Sequence, residues 1–302
     1  MFGALVARLL PLVPKPVVGM VARRYVAGED LEAALAAVSA LNGRGFKATL
    51  DILGENARDR EAADSTLDGY LEILDRIADG PLESNISVKP THLGLRVDAE
   101  GARERIFALA ERARRTDNFV RIDMEDSSVT DATLEIRREA DRRFSNCGAV
   151  LQAYLKRTVG DAAVLARDGA NVRVCKGIYK EPADIAFHDK EEIRGSFLRT
   201  AEILMQGEGT YCAFATHDHE LVQRLLRLIE KRGFPKDRCE FQVLLGVPVG
   251  SMLNDLSGLG FDVRVYVPFG KEWYPYATRR LKENPRLAAG IFKQMFMPER
   301  RL

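Results

Sequence analysis

Lys89, Asp123 and Lys176 each stand at the end of a short apolar run that is rich in β-branched residues. A lysine desolvated at such a place could form a Schiff base with a carbonyl substrate, or could clamp a phosphate or carboxylate. The same strand-end set, with nearby arginine, glutamine and a Thr-His pair, would also suit a flavin, which brings its own redox chemistry and needs the protein for binding and orientation. Residue types alone leave the lyase chemistry, with Lys89 or Lys176 as nucleophile, and the flavin chemistry both open.

A metal site is the third chemistry to consider. His217 and His219 form a His-x-His pair, which can bring two imidazoles near one metal ion. Only His92 and His188 remain elsewhere in the chain, and no HExxH motif is present. We therefore expect no metal.

A charged aromatic stretch at residues 263–285 carries the next candidate residues. On a helix, Tyr276 and Arg280 would share one face, and Arg279 and Glu283 another, because each pair is four residues apart. Two adjacent guanidiniums beside tyrosines suit a small molecule that has a carboxylate and an apolar body. An ordinary surface helix with an i,i+4 ion pair is equally compatible with this spacing.

The elements that would position these residues alternate regularly. Eight strand-like runs occupy residues 46–53, 85–89, 119–124, 149–154, 172–176, 211–216, 240–245 and 262–267. Amphipathic helical segments occupy residues 30–41, 64–78, 99–115, 130–144, 189–206, 220–231 and 272–296. Repeated strand–helix units predict a parallel sheet, and eight usually close into a TIM-like (β/α)8 barrel of the α/β class. An open doubly wound sheet is the alternative, but no GxGxxG follows the first strand and no P-loop motif occurs.

Helix-end signals accompany this pattern. Thr130 or Asp131 is predicted to cap one helix and Asp218 another, while Gly80 and Gly233 stand where two helices should end. Because the strand ends of a barrel carry its active site, the polar residues at these ends are predicted to converge.

The sequence shows no linker or internal repeat, so we expect one barrel domain over residues 1–302. Residues 1–44 would form an N-terminal helical segment, and residues 272–302 a C-terminal helical segment that completes the active site. Residues 1–26 are apolar, but charged residues and prolines interrupt them, so no uninterrupted stretch reaches the ~20 residues that a membrane span needs. They could form a packing helix or a surface amphipath.

Composition narrows the class further. The chain of 302 residues has a formal net charge of +1, which does not favour nucleic-acid binding. Its hydrophobic content of 46% and charged content of 29% are typical of globular proteins. The four cysteines form no CxxC motif, so we expect reduced, packed thiols in a cytoplasmic protein.

The final stretch also resembles a known signature. YVPFG followed by WYPYATRRLKENP is similar to the tyrosine, proline, glycine and RRL pattern of the proline dehydrogenase family. Further motifs resemble the family in order: LDILGE, SVKPTHLGL, RIDME, LQAYLKRT, VRVCKGIY, FATHD and EFQVLLG. Departures are modest: Cys175 and Ile178 flank the Lys-Gly pair, and Asp218 replaces a frequent asparagine. No aldehyde dehydrogenase module follows, so the resemblance is to the single-function bacterial form.

The resemblance implies the first step of proline catabolism: oxidation of L-proline to Δ1-pyrroline-5-carboxylate, by hydride transfer to N5 of non-covalently bound FAD. Electrons would pass to a membrane quinone, so the protein would be cytoplasmic with a peripheral contact at the inner face of the membrane. The resemblance implies a catalytic group of four residues: Lys89, Asp123, Arg173 and Tyr266.

Substrate and cofactor contacts are implied in the same way. Arg279, Arg280 and Lys89 would hold the carboxylate of proline, and Tyr266, Tyr276 and Leu245 would wall its ring. Asp123 would orient Lys89 or the cofactor, and Glu55 would pair with an active-site arginine as a gate. The implied cofactor-binding residues are Asp123, Gln152, Arg173, Lys176, Gly177, Thr216, His217 and Arg280.

Overall fold

The computed structural model describes residues 15–283, whose eight strands form a closed parallel barrel in sequential order. β8 returns to pair with β1, in a register that runs from Lys47 beside Arg264 to Ile52 beside Phe269. The predicted α/β barrel is therefore confirmed, and the open doubly wound alternative is wrong. The strands are β1 Lys47–Ile52, β2 Ser84–Val88, β3 Val120–Ile122, β4 Cys147–Gln152, β5 Asn171–Cys175, β6 Tyr211–Ala215, β7 Cys239–Leu244 and β8 Asp262–Phe269.

Ten α-helices lie within residues 15–283. They are α1 Lys15–Tyr25, α2 Leu31–Asn42, α3 Arg60–Ala78, α4 Ala99–Arg115, α5 Thr130–Phe144, α6 Thr158–Arg167, α7 Lys190–Met205, α8 His219–Arg232, α9 Met252–Gly258 and α10 Trp273–Glu283. The sequence pattern located most of them but missed α6 and α9, which are short and weakly periodic. The predicted continuation of the last helix to residue 296 lies outside the described residues.

Local signals explain where α8 begins and ends. The Asp218 carboxylate accepts the backbone N–H groups of Glu220 and Leu221, and Gly233 ends the helix at φ 60°. Both predictions for this helix are confirmed. The predicted cap of α5 is wrong, because a short 3₁₀ turn at Ser127–Val129 precedes that helix and Val129 makes no side-chain cap bond.

The strands separate an apolar outer layer from a polar interior. On β7, Cys239, Phe241 and Val243 pack in the core between barrel and helices. Glu240 and Gln242 alternate with these residues along the strand. They point into the barrel, because successive side chains on a strand face opposite sides. Buried polar groups thus fill an interior that in most such barrels holds branched apolar side chains. The four cysteines are free, and Cys147, Cys212 and Cys239 are buried.

α1 and α10 pack against each other beside the carboxyl ends of the strands. Their contact forms a small cluster of buried residues: Val18, Ala22, Tyr25, Val26, Leu53, Tyr276 and Ala277. Trp273 Nε1 adds a 2.8 Å hydrogen bond to Glu29. The packing-helix interpretation is confirmed for residues 15–25, while residues 1–14 lie outside the described part. Within residues 15–283, no helix is both long and apolar enough to cross a membrane.

Candidate active site

A cavity of about 1230 Å³ opens at the carboxyl ends of the strands. It exceeds the roughly 300–1,000 Å³ of sites for drug-sized ligands, so it can hold a large cofactor together with a small substrate. Nearly all the site residues predicted from sequence line it: Glu55, Lys89, Asp123, Gln152, Arg173, Lys176, Gly177, Thr216, His217, Tyr266, Tyr276, Arg279 and Arg280.

Leu245 is the predicted site residue that the structure places elsewhere. Its side chain packs against the core outside the barrel, whereas the preceding Leu244 lines the cavity. Side chains alternate along β7, so Leu244 shares the inner face with Gln242 and Glu240. The apolar wall that β7 supplies is therefore Leu244.

Lys89 is held by a carboxylate that the sequence did not single out. Its Nζ donates a 2.6 Å hydrogen bond to Asp51 Oδ1 and a longer one of 3.4 Å to Tyr266 Oη. Burial by itself would lower the pKa of Lys89, but the nearby carboxylates of Asp51 and Asp123 outweigh it and raise the pKa above the ordinary value. Lys89 is therefore a fixed ammonium, suited to binding an anion. A Schiff-base nucleophile must be a neutral amine, so this state disfavours the lyase alternative at Lys89.

Asp123 is the centre of a second network. Its Oδ1 accepts 2.7 Å hydrogen bonds from Ser87 Oγ and from Arg173 Nη1, and its Oδ2 accepts one of 2.9 Å from Tyr266 Oη. Burial and the charges of Asp123 and Asp51 raise the pKa of Tyr266 well above its usual value, so the phenol stays protonated and donates. Asp123 thus orients Arg173 and Tyr266, while Asp51 holds the expected place beside Lys89.

Arg173 is also stacked. Its guanidinium carbon lies 5.3 Å from the centre of the Tyr266 ring, a cation–π distance. Together with the bond to Asp123, this contact gives the guanidinium a fixed position at the floor of the cavity.

The two arginines of α10 reach the cavity from the side. Arg279 makes a forked ion pair with Glu55, at 2.7 and 3.1 Å. The guanidinium of Arg280 lies 5.3 Å from the ring centre of the buried Tyr276. The pair between Glu55 and Arg279 links the loop after β1 to α10 and spans one side of the opening. The expected i,i+4 pair of Arg279 with Glu283 depends on a side chain that lies outside the described part of the structure.

The opposite rim carries donors for an anionic group. Lys176 Nζ and the guanidinium of Arg194 both bind Asp218, the latter at 2.7 and 2.8 Å. His217 Nε2 accepts the N–H of Leu244 at 2.9 Å, and burial lowers the pKa of His217 to about 4. His217 is therefore neutral and can offer its remaining N–H to a ligand. His217 and His219 both line the cavity, but Nε2 of His217 is already occupied, because it accepts the hydrogen bond from the backbone N–H of Leu244.

Gly177 occupies a backbone position that other residues rarely adopt. Its φ is +104°, and a Cβ there would lie 2.1 Å from the ring of Tyr154. The backbone of this loop can therefore approach a ligand closely. Gln152 lies nearby on the inner face and donates a 2.7 Å bond to the Glu125 carbonyl. The lysine, arginine, threonine and histidine donors of this rim, with a close backbone, fit a large cofactor that carries phosphates and a polar ring system.

Sequence reasoning missed four residues at this site: Asp51, Arg194, Gln242 and Leu244. Asp51 and Gln242 lie in strand-like runs that the sequence pattern identifies. The alternation of side chains along a strand places both on the inner face of the barrel, and this is the signal that could have found them. Arg194 lies on α7, and no local signal distinguishes it from the charges of an ordinary solvated helix face.

Comparisons with known proteins agree with this geometry. A family model described as Proline dehydrogenase matches residues 34–290. Proline dehydrogenase 1 of Bacillus subtilis strain 168 is 37% identical over 274 residues, which cover 90% of this chain and 89% of that protein. The proline dehydrogenase of Deinococcus radiodurans is 34% identical and covers 91% of this chain and 89% of its own length.

A solved structure supports the fold. Proline utilization A (PutA) from Bdellovibrio bacteriovorus, in a crystal structure of the protein inactivated by N-propargylglycine, superposes with a TM-score of 0.80 at 24% identity. The match covers 93% of this chain but 34% of that one, so the chain spans about a third of the larger protein. The family match over most of the chain, the curated relatives and the cavity lead to one conclusion. This chain belongs to the proline dehydrogenase family, flavin-dependent enzymes that oxidise proline to Δ1-pyrroline-5-carboxylate.

Proposed function

We propose that this chain oxidises L-proline with FAD bound non-covalently in the cavity and passes the electrons to a quinone. The observation that carries the proposal is the convergence of three cations, Lys89, Arg279 and Arg280, on a cavity that Tyr266 and Tyr276 also line. This combination suits a small substrate with one carboxylate and an apolar ring.

Substrate binding would use the cations for the carboxylate and the aromatic groups for the ring. Lys89 is already oriented by Asp51, so its ammonium needs no rearrangement before it binds an anion. Arg279 is paired with Glu55, and a substrate carboxylate would replace that partner with one of the same charge and shape. Tyr266, Tyr276 and Leu244 would wall the ring, so Leu244 takes the role first expected of Leu245.

The Glu55–Arg279 pair gives the cavity a gate. When it is closed, the loop after β1 is tied to α10, which excludes water and strengthens the electrostatic contacts inside. When it opens, proline can enter and the product can leave.

The cofactor would lie between the floor and the opposite rim. Gln152 and Arg173 would contact the flavin ring, with Asp123 fixing Arg173, and Arg280 would contact the ring from α10. Lys176, Gly177, Thr216 and His217 would hold the ribityl chain and phosphates. A flavin bound there would supply the two-electron acceptor for the C–H bond next to the ring nitrogen. The Arg173 guanidinium, held in a site that excludes water, would stabilise the negative charge that a flavin acquires as it is reduced.

The visible spectrum of the purified protein tests cofactor and substrate together. We expect a yellow protein that bleaches when L-proline is added without oxygen. A yellow protein that is not bleached by proline would retain the flavin and contradict the substrate. A colourless protein that stays inert after FAD is added would contradict the whole proposal.

Quinone reduction adds a membrane contact to the proposal. The apolar residues before α1 and the residues after α10, both of which lie outside the described part of the chain, are the elements proposed to dock at the inner face of the cytoplasmic membrane. Lipid vesicles that contain quinone should pellet the protein and reoxidise it after proline. Failure to pellet would contradict the membrane contact and leave the dehydrogenase activity standing.

A further inference from the structure

Four side chains form a continuous hydrogen-bonded chain inside the barrel, which runs from beneath the cavity up to its floor. Arg264 Nε donates to both oxygens of Glu240, at 2.9 and 3.1 Å, and Glu240 Oε1 also accepts from Gln242 Nε2. Gln242 Oε1 in turn accepts a 2.5 Å bond from Arg173 Nε. The chain ends at the residue proposed to contact the flavin.

The chemistry of its neighbours fixes the Gln242 amide. Arg173 Nε can only donate a hydrogen bond, and the Glu240 carboxylate can only accept one. Gln242 must therefore turn its oxygen to Arg173 and its amino group to Glu240. The reversed amide would place N–H against N–H on one side and oxygen against oxygen on the other.

Glu240 is itself anchored from below. Burial would raise the pKa of Glu240, but the charge and hydrogen bonds of Arg264 hold it below its ordinary value, so the carboxylate is ionised. Arg264 is fixed in turn by a 2.7 Å bond to the Ala48 carbonyl. Tyr211 Oη adds a weaker contact to Glu240 at 3.2 Å.

Water cannot readily replace these bonds. Glu240, Gln242 and Arg173 are 2%, 3% and 5% exposed. The other end of the Arg173 guanidinium binds Asp123 at 2.7 Å and Ser87 at 3.0 Å. Loss of the Nε partner would leave a buried donor unsatisfied, and the planar guanidinium would tilt away from Asp123 to find another acceptor.

We propose that Glu240 and Gln242 are positioning residues for proline oxidation, which fix the Arg173 guanidinium against Asp123 through the orientation of one amide. The proposal rests on the proposed function for its kinetic effect, because Arg173 acts there at the flavin. The geometry of the interior chain is independent of the ligand.

The first test replaces the amide and leaves the ion pair intact. Gln242→Met keeps a similar volume, but Arg173 Nε loses its acceptor while Glu240 keeps Arg264. We expect the limiting rate of flavin reduction by proline to fall at least about tenfold. Half-saturating proline should change much less, because the carboxylate-binding residues are untouched.

A charge-conserving swap provides the rescue. In Glu240→Gln, the new amino group lies close to Arg264 in either orientation, because Arg264 Nε donates to both Glu240 oxygens. The variant also removes the counter-charge of Arg264, so the acceptor of the Gln242 amino group is no longer fixed, and we expect a similar loss of rate. Adding Gln242→Glu returns a carboxylate to the chain: residue 242 then accepts from Arg173 Nε and from the amino group of residue 240. The double variant should reduce flavin within about threefold of the parent rate.

Tyr211→Phe is the matched control, because it removes one contact to Glu240 and leaves the chain intact; it should reduce flavin at the parent rate. A parent rate in Gln242→Met, or a double variant as slow as Glu240→Gln, would overturn the proposal.

Solvent exchange of the Arg173 Nε–H, followed by NMR, tests the chain without flavin. Exchange should be slow in the parent and double variant and fast in Gln242→Met; equal exchange in all three would also overturn it. A parent protein that binds no FAD would instead contradict the proposed function.

Discussion

Lys89 Nζ lies 2.6 Å from Asp51 Oδ1, and the Asp51 side chain is 1% exposed. Few ion pairs of this barrel are so completely buried, and this one faces the cavity directly. A buried ion pair adds little net stability, but removing one partner leaves an uncompensated charge. The position of the ammonium that is proposed to bind substrate therefore depends on a carboxylate that is itself proposed to touch no substrate.

Asp51→Asn should weaken the fold and the binding of proline together. We expect the free energy of unfolding to fall by about 3 kcal/mol, because Lys89 loses its counter-charge in a buried site. KM for proline should rise, since the ammonium is no longer held in place. Urea unfolding and steady-state kinetics check both effects.

Asp262→Asn is the control for this prediction. Asp262 pairs with Lys47 at the same 2.6 Å, but the side chains are 45% and 34% exposed. Exposed pairs of this kind contribute between about 0 and 1 kcal/mol. Equal losses in the two variants would contradict the assignment of Asp51 as the buried partner of Lys89.

Arg279→Met and Arg280→Met should each raise KM for proline steeply, because each removes a guanidinium proposed to bind the carboxylate. Loss of a charge-assisted hydrogen bond corresponds to about 2 kcal/mol, or roughly thirtyfold in kcat/KM. Arg58→Met is the comparison, since Arg58 lies at the same opening but its side chain is 84% exposed. An unchanged KM in both α10 variants would rule out the carboxylate assignment.

Gly177→Ala should abolish cofactor binding. The new Cβ would lie 2.1 Å from the Tyr154 ring, on a backbone with φ +104°, so the loop after β5 must move. Titration of the apoprotein with FAD checks the effect. Gly160→Ala is the matched change in the middle of the chain, because a Cβ there meets nothing within 4 Å and Gly160 lies in α6. It should bind FAD normally and gain about 0.5–1 kcal/mol of stability.

The sequence was sufficient for the barrel because eight apolar runs alternate with amphipathic segments, and this pattern depends on local periodicity alone. It was also sufficient for most of the residues that line the cavity, since the carboxyl ends of parallel strands must converge. α6 was missed because its sequence, TVGDAAVLAR, has few large apolar residues with which to mark a face.

The pairing inside the barrel could not be predicted in the same way. Lys89 follows β2, which lies between β1 and β3, so Asp51 and Asp123 stand on the two neighbouring strands and no local pattern chooses between them. Gln242 and Arg173 are 69 residues apart, and their contact follows from barrel closure rather than from any local pattern. The error at Leu245 has a related cause. An error of one residue in the position of a strand end assigns the side chain to the opposite face of the sheet.

Stability should fall on mild acidification through His217. Its pKa is about 4 in the folded protein against an ordinary 6.5, so the unfolded chain binds more protons between these values. The contribution of neutral His217 is therefore complete above pH 6.5 and is lost as the pH falls towards 4. At about pH 5 the loss should be about 2 kcal/mol relative to about pH 7.

His217→Gln tests this contribution, because its carbonyl can still accept the Leu244 N–H but the side chain does not titrate. Urea unfolding at the two pH values should show a smaller difference in the variant than in the parent. His188→Gln, which changes an exposed histidine bonded to the Glu181 carbonyl, is the control for the replacement of one histidine by glutamine. A parent-like difference in His217→Gln would assign the acid sensitivity to other groups.

Proline oxidation should accelerate towards alkaline pH because of the substrate rather than the enzyme. Hydride cannot readily leave a carbon that is attached to an ammonium, so the proline nitrogen must first lose its proton. The pKa values of Lys89 and Tyr266 are both raised above their ordinary values. Lys89 therefore stays cationic, and the Tyr266 phenol stays protonated, over the pH range in which the rate rises. We therefore expect kcat/KM to rise by about tenfold per pH unit below the pKa of the proline amine. Tyr266→Phe removes the titratable phenol and should lower activity without shifting this rise. If kcat/KM of Tyr266→Phe no longer rises with pH, the phenol would instead be the group that must ionise.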